Sequence, residues 1–308
     1  RDLISTGSIA VDNKDNAVWI TLLAFGYKGQ ILKFNPIDQT FDTFDLPSQL
    51  NSPVGIVLDD RRNLWVTDHG TSIFYNFLPD NKSITEFATS MASERIFGGS
   101  ESFSDGAYTL PYWIHKADDG SLWFNEHTGN KIGKFFPDEL KLVEYWIPSQ
   151  NKQFGQCKPD VAENSCGIGN VLQLTDETYN KSIWFTEWSE NKIGYVNTSI
   201  PLPFSINTED KEITLTPGES KEIKFEINTH TDSLLHPISS STLTPSGELG
   251  TSYGIFSENS INLKKDESKE ISFVFTLSND VAMGNYILML GAEDDLISIS
   301  KAILIKVI

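Results

Sequence analysis

The sequence is short of cysteine, histidine and positive charge, and it has no long apolar run. Lys plus Arg number 24 against 42 Asp plus Glu, a formal charge of -18. That excludes nucleic acid and anionic membrane surfaces as partners, because both require a positive face; the acidity reads as solubility. No stretch of about 18 apolar residues occurs, so no transmembrane segment is expected. No nucleophile elbow, phosphate-binding loop or zinc-knuckle spacing is present, and no signal peptide is visible. The chain starts at Arg1 without a Met, which leaves room for an upstream segment removed or left out. The only cysteines, Cys157 and Cys166, bracket KPDVAENS. Either they close a disulfide, worth roughly 2.5–3 kcal/mol on chain-entropy grounds, or they are free thiols of a reducing compartment.

What is present has an ordinary globular balance. The 308 residues are 39% hydrophobic and 11% aromatic, enough for a large core and two domains. Three Asn-x-Ser/Thr sequons, at Asn81, Asn180 and Asn197, join the cysteine pair in pointing to an extracellular or cell-surface glycoprotein.

A repeat organises residues 1–203. Aligned on tryptophan, the segments read AVWITLLAFGYKGQILKF, NLWVTDHGTSIFYNF, SLWFNEHTGNKIGKF and SIWFTEWSENKIGYV. The anchors are Trp19, Trp65, Trp123 and Trp184, each followed by an Ile (Ile31, Ile73, Ile132, Ile193). An alternating strand and a polar turn precede each Trp. A further strand follows the first three units, as TFDTFDLP, SITEFAT and LVEYWIP. Period-two alternation with turns every 8–12 residues predicts antiparallel β-structure. Four short strands per Trp-anchored unit is the pattern of a β-propeller blade. One such sheet cannot cover both its faces, so neighbours must stack. Burying each Trp in a seam removes about 150–250 Å² from water, roughly 4–6 kcal/mol as an upper estimate. Trp184 and Ile193 are expected in such a seam, with SEN as the turn between two strands.

Two insertions interrupt the repeat, ATSMASERIFGGSESFSDGAYTLP and the cysteine loop. Both precede the first strand of a unit and decorate the face where loops open, the face expected to bind. The fourth unit lacks an outer strand, and RDLIST resembles the tail of such a strand from a preceding unit. Residues 1–203 therefore read as the C-terminal part of a longer propeller, completed by an upstream segment or another chain. A four-bladed ring closed by residues 1–6 is the competing reading.

From 204 to 308 the Trp anchors stop. ESKEIKFEI and ESKEISFVF share a strand signature, and EITLTPGE, GNYILMLGA and ISISKAILIKV add further strands. About seven strands with polar turns predict an immunoglobulin-like β-sandwich, a spacer or adhesion module. Pro201 and Pro203 mark a short stiff linker. The fold class expected for the whole chain is all-β.

LWFNEHTGNKIGKF, IWFTEWSENKIGYV, SPVGIVLDDRRNLWVTD and SITEFAT resemble the repeat of the virginiamycin B lyase (streptogramin lyase) family. Its unit runs near P-x-G-I, G-x-L-W-F-T-E, N-K-I-G-R and I-T-E-Y-x-L-P. The pairing with an immunoglobulin-like tail is also similar to secreted archaeal propeller proteins. The resemblance implies a lyase that opens a cyclic depsipeptide by elimination with a divalent metal, usually magnesium, using histidines that follow the Pro entering inner strands. Here those positions read Pro53-Val54 and Pro111-Tyr112, and CGIGN in the fourth unit has no Pro-His. Val54 cannot act as a base, and a tyrosine titrates near 10 (~10) unless perturbed, so the lyase set is absent from these positions.

Residues expected on the loop face are Asp68, His69, Tyr112, Trp113, Glu126, His127, Glu187, Trp188 and Glu190. Carboxylates with few imidazoles would favour magnesium or calcium, with Glu126 and Glu187 the candidate ligands. The alternative is that these carboxylates satisfy turn amides and the histidines are solvated. Neighbours in a strand point to opposite faces, so each Asp-His or Glu-His pair offers only one ligand to one point. Tyr112, Trp113, Trp146 and Trp188 form either an aromatic platform for sugar or peptide or the packing of the two insertions. His115, within an inner strand, reads as a packed histidine. The sequence thus favours non-catalytic binding or structural work at the cell envelope, with an envelope protein or glycan as partner. A metal-assisted lyase, or a subunit completed by another chain, stands as the alternative.

Overall fold

Alternation of apolar and polar residues through each Trp segment produces strands, and Asn, Asp and Gly between them produce the turns. In the computed structural model, residues 4–24, 28–92, 96, 108–162, 165–177 and 182–308 are described. The first unit is β1 (Ile4–Val11), β2 (Val18–Ala24), β3 (Gln30–Asn35) and β4 (Thr40–Asp45). The second is β5 (Pro53–Leu58), β6 (Leu64–Asp68), β7 (Ile73–Leu78) and β8 (Ser83–Ala88). The third is β9 (Pro111–Lys116), β10 (Leu122–Glu126), β11 (Lys131–Phe136) and β12 (Lys141–Trp146). Each runs antiparallel in chain order, and the fourth has only β13 (Val171–Glu177), β14 (Ser182–Glu187) and β15 (Lys192–Asn197). The result is an all-β, β-propeller-like stack of sheets. β1, β5, β9 and β13 lie side by side as inner strands, each with a bulge near its start.

The seams explain the repeat. Trp19 and Ile31 pack on Ile56, Leu64, Val66 and Tyr75 of the second unit. Trp65 and Phe74 pack on Ile114, Leu122, Phe124 and Phe135 of the third. Trp123 and Ile132 pack on Leu174, Ile183 and Phe185 of the fourth. Register corrects one alignment: Trp19 pairs Lys33 and Trp65 pairs Asn76, so Phe74, not Ile73, is the counterpart of Ile31. A second tie is polar. Thr21 Oγ1 donates to Val54 O at 2.7 Å, Thr67 Oγ1 to Tyr112 O, and Asn125 Nδ2 to Val171 O at 2.7 Å. Each is two residues past its Trp and each reaches the next unit's inner strand. These buried bonds fix the angle at which apolar seams meet.

The fourth unit departs from expectation. Trp184 is 39% exposed and Ile193 71% exposed, whereas Trp19, Trp65 and Trp123 are buried. The face that in three units meets a following sheet meets none here among the described residues. Trp188–Glu190 forms a short 3-10 turn, closed by Asn191 at φ 50°. The reading of RDLIST as an outer-strand tail is also corrected: Ile4, Ser5 and Thr6 pair with Ala24, Leu23 and Leu22 as part of β1. Residues 1–3 lie outside the described residues.

The C-terminal part has nine strands, β16 (Phe204–Thr208), β17 (Glu212–Leu215), β18 (Ser220–Thr229), β19 (Ser233–Ser241), β20 (Tyr253–Phe256), β21 (Ile261–Leu263), β22 (Ser268–Thr276), β23 (Gly284–Glu293) and β24 (Ile297–Val307). One sheet runs β16-β18-β22-β20 and the other β21-β19-β23-β24, with β17 parallel to β24. Ile223, Phe225, Ile271 and Phe273 of the first share a core with Leu288, Leu290, Ile303 and Ile305 of the second. The second sheet does not stop there. β24 pairs antiparallel with β12 from Lys141↔Lys301 to Tyr145↔Ile297, so it continues into the third unit. Its other face, through Ile287, Met289 and Ala302, packs on the seam between units two and three. Burial on both faces is why β23 reads YILML without alternation. Among the described residues no helix is long and apolar enough to cross a membrane.

Candidate functional site

One local device recurs at the end of the Trp strand in units two, three and four. The Trp strand ends in a carboxylate, and the amide of the next residue donates to the carbonyl just before that unit's inner strand. His69 N reaches Ser52 O at 2.8 Å, His127 N reaches Leu110 O at 2.9 Å, and Trp188 N reaches Asn170 O at 3.1 Å. Alternation then sends each carboxylate inward and the following side chain outward. This corrects the expectation that Asp68, Glu126 and Glu187 open on the loop face: all three are buried.

Asp68 satisfies turn amides. Its Oδ2 accepts from Ser52 N and its Oδ1 from Gly70 N, both at 2.9 Å. Burial outweighs these bonds and raises its pKa to about 6. Glu126 faces a charge cluster instead. Lys131 Nζ lies 3.9 Å from its Oε2 and 3.4 Å from Glu144 Oε1. Glu144 also accepts from Ser90 N at 2.9 Å, Ser90 Oγ at 3.0 Å and Ser298 Oγ at 2.9 Å. Burial raises Glu144, but Lys131 and these bonds outweigh it and hold its pKa below the usual range. Burial, then the Glu144 charge, pushes Glu126 well above it. Burial pushes Lys131 down, but Glu144, Glu126 and Glu293 hold it up. Its ammonium also sits 4.8 Å from the Trp146 ring centre. Glu187 is buried with Oε2 unpartnered among the described residues.

What reaches the loop face is aromatic. His69 Nε2 and His127 Nδ1 are 3.0 Å apart, although 58 residues separate them. The Tyr112 ring lies 4.7 Å from His69 edge-on and 5.6 Å from His127. All three are half-buried. Burial, then the neighbouring His127, lowers the His69 pKa to about 4; burial also lowers His127. Both imidazoles are therefore neutral at pH 7, each with one donor and one acceptor nitrogen.

The other sequence candidates do not join this cluster. Trp113 packs on the seam with unit four beside Trp123 and Val171. Trp188 is 57% exposed and meets Phe154 of the cysteine-loop segment at 5.5 Å. With Trp146 beside Lys131, the expected platform of four aromatics is divided among four places. Glu190 pairs with Lys192 at 3.2 Å. His115 is half-buried, its Nε2 2.8 Å from Asp176 Oδ1 on the neighbouring inner strand. Cys157 and Cys166 form a disulfide. Asn81 and Asn197 are exposed in turns or at strand ends; Asn180 lies outside the described residues.

A divalent cation does not fit beside Glu126. Lys131 already stands between Glu126 and Glu144 as the buried cation, and a second cation beside its ammonium would be repelled. Among the described residues no group of three His, Cys, Asp or Glu is placed to hold a metal. Lys131 and Glu144 escaped sequence reading: NKIG in two units reads as a turn followed by a strand, and nothing local signals that one lysine is sealed.

No family model matches the chain, and no curated protein matches it. Among solved structures, a streptogramin B lyase is similar at 25% identity and TM-score 0.45, covering 63% of this chain. This chain spans 52% of that lyase's length. Virginiamycin B lyase from Staphylococcus aureus is similar at 17% identity and TM-score 0.39, covering 96% of this chain and 94% of its own. An auxiliary nutrient binding protein from Bacteroides ovatus is similar at 11% identity and TM-score 0.38, covering 62% of this chain and 48% of its own.

Proposed function

We propose that this is a non-catalytic binding protein of the cell surface, and that the His69–Tyr112–His127 cluster is its recognition point for an envelope glycan or peptide. The observation that carries the reading is the contrast between outward and inward groups. Two neutral imidazoles and a phenol ring reach the loop face, while the adjacent carboxylates are sealed. A flat aromatic rim with single donors and acceptors suits uncharged polar ligands. The same contrast disfavours elimination chemistry. A general base works best with a pKa near the working pH, and His69 titrates near 4 (about 4).

Residues 1–203 act in this reading as the recognition unit and 204–308 as an immunoglobulin-like support. The two sheets around one core support the latter. The disulfide and the exposed sequons at Asn81 and Asn197 support an extracellular, glycosylated setting. The test is calorimetric titration of the full chain with neutral envelope oligosaccharides and linear peptides. His69→Ala and Tyr112→Ala should each weaken the best binder about tenfold, on the order of 1.4 kcal/mol. Trp184→Ala, far from the cluster, should not. Equal affinity in all three variants, or no binding by the parent, ends the reading.

A further inference from the structure

Units two and three carry a glutamate at the same place on the outer strand. Register sets Glu86 of β8 opposite Tyr75 and Glu144 of β12 opposite Gly133. Both lie on the leading face of their unit, the face turned to the preceding one. Both accept from a residue that follows the preceding unit's outer strand. Gln49 Nε2 reaches Glu86 Oε1 at 3.1 Å, as Ser90 Oγ reaches Glu144 Oε1 at 3.0 Å. The two differ in charge balance. Glu144 has the ammonium of Lys131 at 3.4 Å. In unit two the place of Lys131 is taken by Ile73, which sits opposite Ala88 as Lys131 sits opposite Trp146. Glu86 is half-buried, and no Lys, Arg or His pairs with it among the described residues. Burial raises its pKa, the Gln49 bond lowers it and the Asp68 charge adds to the rise. A cation beside this carboxylate would offset that burial.

The second difference is room. β12 continues through β24, so the outer edge of unit three is closed. β8 is the last strand of its own sheet, and β23 lies against it without pairing. A cleft of about 470 Å³ remains there. Ile84, Phe87, Leu140, Ile287 and Leu304 wall it, and Glu86 and Gln49 line it with them. A mainly apolar cleft of this size, with few polar groups, is the usual form of a small-ligand site. Its occupant has to bring apolar surface to the walls and positive charge to Glu86.

We propose that this cleft binds a small organic ammonium, a primary amine on an apolar body. The ammonium pairs with Glu86 as Lys131 pairs with Glu144, and the body packs on Leu140, Ile287 and Leu304. The chain's formal charge of -18 favours the approach of such a cation. The site uses no residue of the histidine cluster and does not depend on it.

Calorimetric titration of the full chain with phenethylammonium chloride, at about pH 7 and low ionic strength, should show saturable binding at one site. 2-Phenylethanol, of similar shape without the charge, should bind about tenfold more weakly. Glu86→Gln keeps the shape and the acceptor for Gln49 but removes the charge. It should weaken the amine about tenfold and leave the alcohol unchanged. Leu140→Ala, at a side chain that is 41% exposed, should weaken both ligands about threefold through lost wall contact. Circular dichroism with thermal melting checks that both variants fold. No saturable binding by the parent overturns the proposal. So does equal affinity for amine and alcohol, or for parent and Glu86→Gln. An amine affinity that falls in Glu86→Gln but not in Leu140→Ala would put the ligand outside the cleft, which also overturns it.

Discussion

Asp68 and His69 are adjacent, yet the strand's alternation gives them opposite environments and opposite pH signatures. Asp68 titrates near 6 in the fold (about 6) against about 3.9 unfolded. Between those values the unfolded chain loses its proton first, so this residue makes stability fall as pH rises. His69 titrates near 4 in the fold (about 4) against about 6.5 unfolded. Between those values the unfolded chain gains a proton first, so His69 makes stability fall as pH drops. Over roughly pH 4 to 6 the two oppose each other. Asp68→Asn removes one side, so its melting temperature should rise more steeply from pH 4 to pH 6 than the parent's. The Asp68 contribution across that window is at most about 3 kcal/mol, from 1.36 kcal/mol per pKa unit. Parallel melting curves for parent and variant would show that Asp68 does not carry this burial cost.

At the scale of elements, the Lys131 cluster ties together what the chain order keeps apart. Lys131 is on β11, Glu144 on β12, Ser298 on β24, and Ser90 follows β8. Two carboxyls and one ammonium share a site with no exposure. Removing one partner of a buried pair leaves a charge uncompensated and costs about 3–5 kcal/mol. Lys131→Met should therefore lower stability by that amount in denaturant melts. Adding Glu144→Gln should restore a large part, because the orphaned charge is then gone. If the double variant is as unstable as the single, the cluster acts through packing, not charge. Little of this was legible in the sequence. Alternation, the Trp anchors and the turn residues are local, and they locate the strands of all four units. Whether Lys131 is sealed or Trp184 is open depends on which sheet lies alongside, and that is a non-local fact. The β12–β24 junction was equally hidden, although the unbroken YILML run of β23 carried a usable signal of burial on both faces. The imidazole pairing was half legible. Alternation separates Asp68 from His69 and Glu126 from His127, but it cannot bring His69 within 3.0 Å of His127.

Across the whole molecule, covered surface is unevenly distributed, and local stability should follow it. Units two and three are packed on both faces, and the C-terminal sheets lie across their outer edge. Among the described residues, the leading face of unit one, the trailing face of unit four and the outer edge at β15 are uncovered. Amide exchange reports such differences, because local opening costs least where few buried apolar contacts are lost. Amides of β6, β7, β10, β11, β23 and β24 should be the slowest, exchanging only on global unfolding. Amides of β14, β15 and β4 should exchange faster through local opening, with β1 and β2 between. Uniform protection along the chain at low concentration would show that the end units are as firmly held as the middle ones. The packing contrast between Trp123 and Trp184 would then have no energetic consequence.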